Sequence, residues 1–399
     1  MRQFWSTFVL IIITCIFLLQ GCAIPKRLET VSEKDREKAS LPGLSRVRFL
    51  ADSSVEPFRQ MALEAFQRER ALLAQGGQKG LPPVHYLALS GGGDKGAFAA
   101  GLLNGWTAAD NRPEFKLVTG ISTGALIAPF AFLGKSHDHV IKNVYTNVSA
   151  DDIYKERGLL AAVTNDAMAD TKPLWTLLEG LVDENFLQKI AREYEKGRLL
   201  LIGTVNLDLQ RPVIWDMGAI AASNHPNALQ LFRSVMIASA SIPGVFPPVM
   251  IDVAVDDTPH QEMHVDGGTA AQVFVYPSRL DVGKISKEMG VVRERHLYII
   301  RSARLDPDWY TVERRTLNIA GRAISSLIHY QGIGDLYRLY LTAQKDGVDY
   351  NLAYIGEDFN VEHKEDFDTN FMRKLFDYGY ALASDGYPWQ KVPPYFTNN

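Results

Sequence analysis

The 399 residues are 46% hydrophobic and 22% charged and carry a formal net charge of −4, the balance of an ordinary globular protein long enough for one large domain or two smaller ones. No basic run is present, which excludes a polybasic membrane patch and argues against a nucleic-acid partner. The first predicted element is not part of that globular body. Met1 to Gly21 carries a single charge, Arg2, and an almost unbroken apolar run from Phe8 to Leu19. A charged start, an apolar middle and a small residue before Cys22 read as a secretory signal over residues 1–21. The apolar run is short for a helix that stays in the bilayer, which needs roughly 20 residues.

Leu19-Gln20-Gly21-Cys22 resembles the lipobox of bacterial lipoproteins. The resemblance implies cleavage before Cys22, acylation of that cysteine and a firm membrane anchor. Ala23, in place of an aspartate, resembles the sorting pattern for the outer membrane, on the face that looks into the periplasm. Cys15 leaves with the signal, so the mature chain keeps one cysteine and no internal disulfide is expected.

Residues 22–83 read as an accessory segment and linker, with a predicted helix from Pro57 to Ala74 and a glycine- and proline-rich loop, "QGGQKGLPP", over 75–83. The main domain is expected over 84–355. Val84 to Leu89 and Phe115 to Thr119 are short apolar runs of the kind buried parallel strands show, and Gly101 to Ala109 between them reads as the end of a crossover helix. Leu199 to Asn206, Val213 to Trp215 and Leu297 to Arg301 read as further strands, and Ala228 to Ala238 as a helix. Arg315 to Ala343 has helical spacing broken by Gly332 and Gly334, and Phe371 to Ala383 forms a closing helix capped by Asp368 or Thr369, within a C-terminal helical segment over 356–399. Strands alternating with helices predict an α/β fold, a mostly parallel central sheet with helices on both faces.

Two glycine-rich turns follow the first two strands. "SGGGDKGAF" places Gly91, Gly93 and Gly96 at the GxGxxG spacing of a dinucleotide turn, a weak signal alone. A Walker loop is excluded because Ala97 follows Gly96, and Gly120 and Ser122 occupy the place where a dinucleotide site carries an acidic residue. "VTGISTGALIA" places Gly120-Ile121-Ser122-Thr123-Gly124 between strand and helix, the setting of a GxSxG nucleophile elbow. The alternative is that Ser122 only caps the helix. With a nucleophile on the neighbouring strand, the amides of Gly91, Gly92 and Gly93 are candidates for an oxyanion hole, and Lys95 adds positive charge. Pro129 sits inside the first turns of the following helix.

Further along, "SIPGVFPPVMID" is a proline-broken apolar stretch, and "HVDGG" puts Asp266 directly before Gly267 and Gly268. A GGGxKG loop, a GxSxG elbow and a DGG turn in that order resemble the patatin-like phospholipase family. The resemblance spans about Tyr86 to Gly268, and the stretch "ASASIPGVFPPV" shares it. It implies a three-layer α/β/α fold, Ser122 as nucleophile, Asp266 as the other half of a Ser-Asp dyad, the Gly91 to Gly93 amides as oxyanion hole, and no cofactor. Read from residues alone, a Ser-His-Asp hydrolase stays open, with His264, His296, His329 or His363 as its base. No metal-ligand spacing stands out; His137 and His139 alternate in what reads as a solvated loop. The expected activity is cleavage of a fatty-acyl lipid ester through an acyl-enzyme. The alternative from another class is an envelope lipoprotein that keeps the fold but only binds lipid.

Overall fold

The computed structural model describes residues 27–77, 80–158 and 165–396; the expected signal over 1–21 and the expected acylation site, Cys22, lie outside the described residues. Nine strands form one sheet: β1 (Arg48–Leu50), β2 (Val84–Leu89), β3 (Phe115–Gly120), β4 (Leu199–Asn206), β5 (Arg211–Asp216), β6 (Val249–Val255), β7 (Thr258–Asp266), β8 (Arg295–Arg304) and β9 (Asp349–Ile355). β9-β8-β2-β3-β4 run parallel, the order that right-handed βαβ crossovers produce. Beyond β4 the pairing turns antiparallel: β5 and β1 extend the edge, and the β6-β7 hairpin joins β4 on its other side.

This second pairing of β4 positions the site. Leu199 to Ile202 of β4 pair with β3, whose last residue, Gly120, lies opposite Ile202. β4 continues past the end of β3, and Thr204 to Asn206 pair with β7, with Asp266 opposite Thr204. Asp266 therefore arrives where β3 would run if it continued two residues to Ser122. All eight β4 residues are buried, and Gly203 at the junction is a glycine because its neighbours crowd it: a Cβ there would lie 2.5 Å from Ile121.

The apolar residues of the strands alternate between two cores. On one face Leu87, Leu89, Val118, Leu200 and Ile202 pack under α2 (Gly96–Ala108), α3 (Thr123–Leu133), α4 (Asp138–Asn147), α7 (Ala228–Ser239) and α9 (Thr369–Ser384), with α5 (Lys172–Leu181) and α6 (Glu184–Glu195) completing the layer. On the other, Ala88, Leu117, Leu199, Leu201 and Ile299 pack under α1 (Glu56–Gln75) and the C-terminal half of α8 (Thr316–Asp346). This is the expected sheet with helices on both faces. Burial at about 25 cal/mol per Å2 of apolar surface is its main support.

Residues 27–77 and 80–83 are woven into the same body. β1 extends the sheet, Ser40 bridges to Ala254 of β6, and Val31, Leu41, Leu44 and Val47 enter the first core. The α9 N-terminus uses the expected cap, the Asp368 carboxylate accepting from the amides of Asn370 and Phe371. One expectation fails: α8 runs unbroken for 31 residues through Gly332 and Gly334. Gly332 is a point of close approach, since a Cβ there would overlap the Arg301 guanidinium. Its cost in helix propensity, about 1 kcal/mol, is offset by that packing.

Candidate active site

Ser122 follows β3 and precedes α3, and it adopts φ 54°, ψ −125°. A non-glycine residue held at positive φ stores on the order of 1–3 kcal/mol and persists only where its surroundings fix it. Three groups fix it here. Its N–H donates to the Ser239 hydroxyl at 3.0 Å, and that hydroxyl donates to the Gly203 carbonyl at 2.7 Å, tying the elbow to β4. Its carbonyl accepts from Ala125 N at 2.8 Å, starting α3. Gly120 and Gly124 leave no room for a Cβ, since one would overlap Gly124 at the first position and the Leu89 carbonyl at the second. The Ser122 side chain makes no capping bond to the helix, so the serine is not there as a cap. Its hydroxyl is left to face Asp266.

Asp266 is the last residue of β7, whose last three residues, His264, Val265 and Asp266, are buried. Its N–H donates to the Ser241 carbonyl at 2.9 Å, and one carboxylate oxygen accepts from Gly268 N at 2.7 Å. Burial pushes the carboxyl up to about 6, and the bonds from the Ser122 hydroxyl and the Gly268 amide hold it partly down. Gly267 and Gly268 make the turn close on the site: a Cβ on Gly267 would lie 2.5 Å from the Gly203 carbonyl oxygen, and one on Gly268 3.0 Å from the Asp266 carboxylate itself.

The glycine loop after β2 forms the third wall. Gly91 lies against Ser122, where a Cβ would come within 3.2 Å of the Ser122 Cβ. Its N–H, expected among the oxyanion donors, instead donates to the Gln272 carbonyl at 3.0 Å. Gly91 is therefore a spacer. No acceptor among the described residues takes the N–H of Gly92 or Gly93. Gly92 packs so closely on Ser302 that a Cβ would overlap its carbonyl. Gly96 lies against Thr123 and Tyr145. Lys95 pairs with Asp308 at 3.8 Å, and Asp94 is held by His363 Nε2 at 2.7 Å and Phe367 N at 2.9 Å.

None of the four candidate histidines has Ser122 as a hydrogen-bond partner. His264 is fully buried between the Thr204 hydroxyl at 2.9 Å and Glu262 at 3.0 Å, and Glu262 is in turn paired with Arg48. Burial works to raise the Glu262 carboxyl, yet His264 and Arg48 together hold it down to about 2. His296 binds Asp349 at 3.1 Å near the start of its strand, His329 sits on α8, and His363 holds Asp94. Among the described residues no cluster could hold a metal ion, and His137 and His139 line a separate surface cavity with Phe186 and Lys189.

Sequence reasoning missed Ser239, Ser241 and Gln272. The first two lie in the "ASAS" stretch, where small polar residues end a buried helix. Gln272 spans the site: its Nε2 donates to the Gly268 carbonyl at 2.8 Å and to Gln331 of α8 at 2.9 Å.

Residues 87–277 match the family model described as Patatin-like phospholipase. No curated protein matches the chain in sequence. Among solved structures the chain is similar to VipD from Legionella pneumophila at 12% identity and a TM-score of 0.37, covering 76% of this chain and 66% of that one. The matched span begins in β2 and ends past the DGG turn, taking in the glycine loop, the elbow and Asp266. Over residues 87–277 the chain therefore matches the patatin-like phospholipase domain.

Proposed function

We propose that the protein is a serine lipid acyl hydrolase of phospholipase A type, acting through Ser122 and Asp266 without a histidine. The observation that carries this reading is the register that brings the buried Asp266 carboxyl to the end of β3 beside Ser122, where burial raises it to about 6 and a base near neutrality suits proton transfer at neutral pH. Asp266 takes the hydroxyl proton as Ser122 Oγ attacks the ester carbonyl carbon. The negative oxygen of the tetrahedral intermediate accepts from the Gly92 and Gly93 amides near the α3 N-terminus. Collapse breaks the ester C–O bond, and the departing alkoxide takes the proton back from Asp266. Water then repeats the sequence on the acyl-Ser122 ester: Asp266 accepts its proton, the free fatty acid leaves, and Ser122 is regenerated.

Cleavage before Cys22 and its acylation would hold the enzyme at the envelope, at the outer membrane facing the periplasm, with its substrate in the adjoining lipid. The test is a fluorophosphonate label with a panel of phospholipids, lysophospholipids and neutral lipids. The label should go to Ser122, and Ser122→Ala should lose both labelling and hydrolysis; undiminished labelling of that variant removes the serine from the mechanism. Cys22→Ser should escape lipoprotein processing and lose firm membrane attachment, whereas unchanged attachment with residues 1–21 still present would favour an uncleaved helix.

A further inference from the structure

The two halves of α8 are built for different surroundings. From Asp335 onward the helix is core, with Leu336, Leu339, Tyr340 and Ala343 buried under the sheet. Before Gln331 it stands off the body. Ile319, Ala323, Leu327 and Tyr330 recur at helical spacing and are flanked by Ile324 and Ile328; all six are exposed, Leu327 at 70%. Asn318, Arg322, Ser325 and His329 make the opposite stripe. An ordinary surface helix turns its apolar stripe inward. Here the contacts to the protein lie on the polar side, at Arg322 and His329, while Asn318 and Ser325 are exposed: Arg322 lies 4.1 Å over the Tyr310 ring and donates to the Asp308 carbonyl, and the His329 backbone carbonyl accepts from Arg301 at 3.4 Å. The preceding loop adds Trp309, 89% exposed, and Tyr310.

We infer that Trp309 to Tyr330 is an interfacial docking element that seats in a lipid surface and holds the Ser122 site against it. This rests on the reading of that site as a lipid acyl hydrolase. Two observations select lipid over a protein partner. The first is charge: from Trp309 to Tyr330 there are three arginines against one carboxylate, Glu313, which pairs with Arg315 at 3.4 Å, a net positive balance complementary to anionic headgroups, while the exposed tryptophan and tyrosines suit the headgroup level. The second is attachment. The element is fastened to both sides of the site, by Asp308 to Lys95 of the glycine loop and by Gln331 through Gln272 to the Gly268 carbonyl beside Asp266. A surface that carries the substrate would thus meet the docking element and the site together. No helix among the described residues is long and apolar enough to cross a membrane, which fits a helix lying in the interface plane.

The test uses the full chain with vesicles of zwitterionic lipid, with and without anionic lipid, some carrying brominated acyl chains that quench tryptophan on contact. The Trp309 contribution is the difference between wild type and Trp309→Phe. It should be quenched, more strongly with anionic lipid. The triple variant Ile324→Asp, Leu327→Asp, Ile328→Asp should lose on the order of tenfold or more in hydrolysis of vesicle lipid, while cleavage of a water-soluble short-chain ester stays within about twofold of wild type. Absent Trp309 quenching together with unchanged vesicle hydrolysis in the triple variant overturns the proposal. So does a dimer in sedimentation that the triple variant dissociates, with Trp309 unquenched. Quenching of Trp309 by a chain that hydrolyses neither ester supports docking and instead overturns the hydrolase reading.

Discussion

Ser122 and Asp266 reach the same point on the edge of β4 from opposite kinds of architecture. On the parallel side Ser122 is positioned locally, by a strand, a positive-φ turn and a helix contained in one sequence motif, with the Ser239 hydroxyl as its one distant tie. On the antiparallel side Asp266 is positioned by register: a hairpin of 18 residues must pair correctly with the last residues of β4 before the carboxyl meets the serine. The contrast divides the labour. A local elbow tolerates little change in its own residues, whereas a register-set carboxyl depends on strands and networks spread along the chain.

The largest expected effect falls on the chemistry both sides share. Asp266→Asn keeps the shape and the bond from Gly268 N but removes the base, so turnover should fall roughly 1,000- to 10,000-fold in a folded protein. Wild-type kcat/KM should rise with pH through about 6, where Asp266 ionises, and level off above it. A pH profile with no inflection near 6 and an active Asp266→Asn would detach the carboxyl from the mechanism.

The parallel side was the legible one. Val84 to Leu89, Phe115 to Thr119 and Leu199 to Asn206 follow from apolar runs between turn signals, and the elbow and glycine loop follow from glycines where a Cβ has no room. The antiparallel side was legible at Val213 to Trp215, inside β5, and at the DGG turn, but not in the hairpin that carries that turn. The β6-β7 hairpin was hidden because Pro247, Pro248 and Pro259 break the strand pattern, and the pairing of β4 with two partners on one edge is a long-range fact that no local spacing encodes. The Gly91 amide was misassigned for a similar reason: its acceptor, the Gln272 carbonyl, comes from beyond the antiparallel hairpin.

The next effect sharpens the parallel side. Gly92→Ala places a methyl group on the Ser302 carbonyl, so the loop must shift and carry its amides away from the oxyanion. A loss on the order of 100- to 1,000-fold in kcat, with KM little changed, is expected from one displaced donor. Weaker substrate binding with normal kcat would return the loop to a ground-state binding role. Ser239→Ala follows at roughly tenfold in kcat, with about 1–3 kcal/mol of stability lost in denaturant melts, because the buried Ser122 N–H and Gly203 carbonyl both lose their partner.

The antiparallel side makes an opposite prediction for stability. Burial raises the Asp266 carboxyl from its ordinary 3.8 to about 6, so the ionised form is disfavoured in the folded state. The folding contribution of this group is full below about pH 4 and is lost as pH rises through 6. Asp266→Asn removes that loss, and at pH 8 it should be more stable than wild type by on the order of 2–3 kcal/mol. The two should converge below pH 4. Equal stability at both pH values would mean that Asp266 carries no burial penalty.

The smallest effect on activity is expected at the histidines, and His264 discriminates best among them because it lies on β7 only two residues before Asp266. Both its ring nitrogens are engaged, by Thr204 and Glu262, and burial holds the imidazole below its ordinary value against the pull of Glu262. Trp215 Nε1 donates to the same Thr204 hydroxyl at 2.8 Å, so the network ties β5, β4 and β7 together beneath the hairpin. His264→Gln should therefore lower stability by about 1–3 kcal/mol through unpaired buried groups. The specific activity of the folded protein should stay within about threefold of wild type. His296→Gln, His329→Gln and His363→Gln should also stay within about threefold, because each ring bonds away from Ser122 or lies outside its reach. The decisive measurement is activity per folded molecule, with the folded fraction fixed by a melt of the same sample. A stable His264→Gln protein as inactive as Ser122→Ala would make the hairpin the carrier of a triad base; an unstable but active one leaves it the scaffold that sets the register of Asp266.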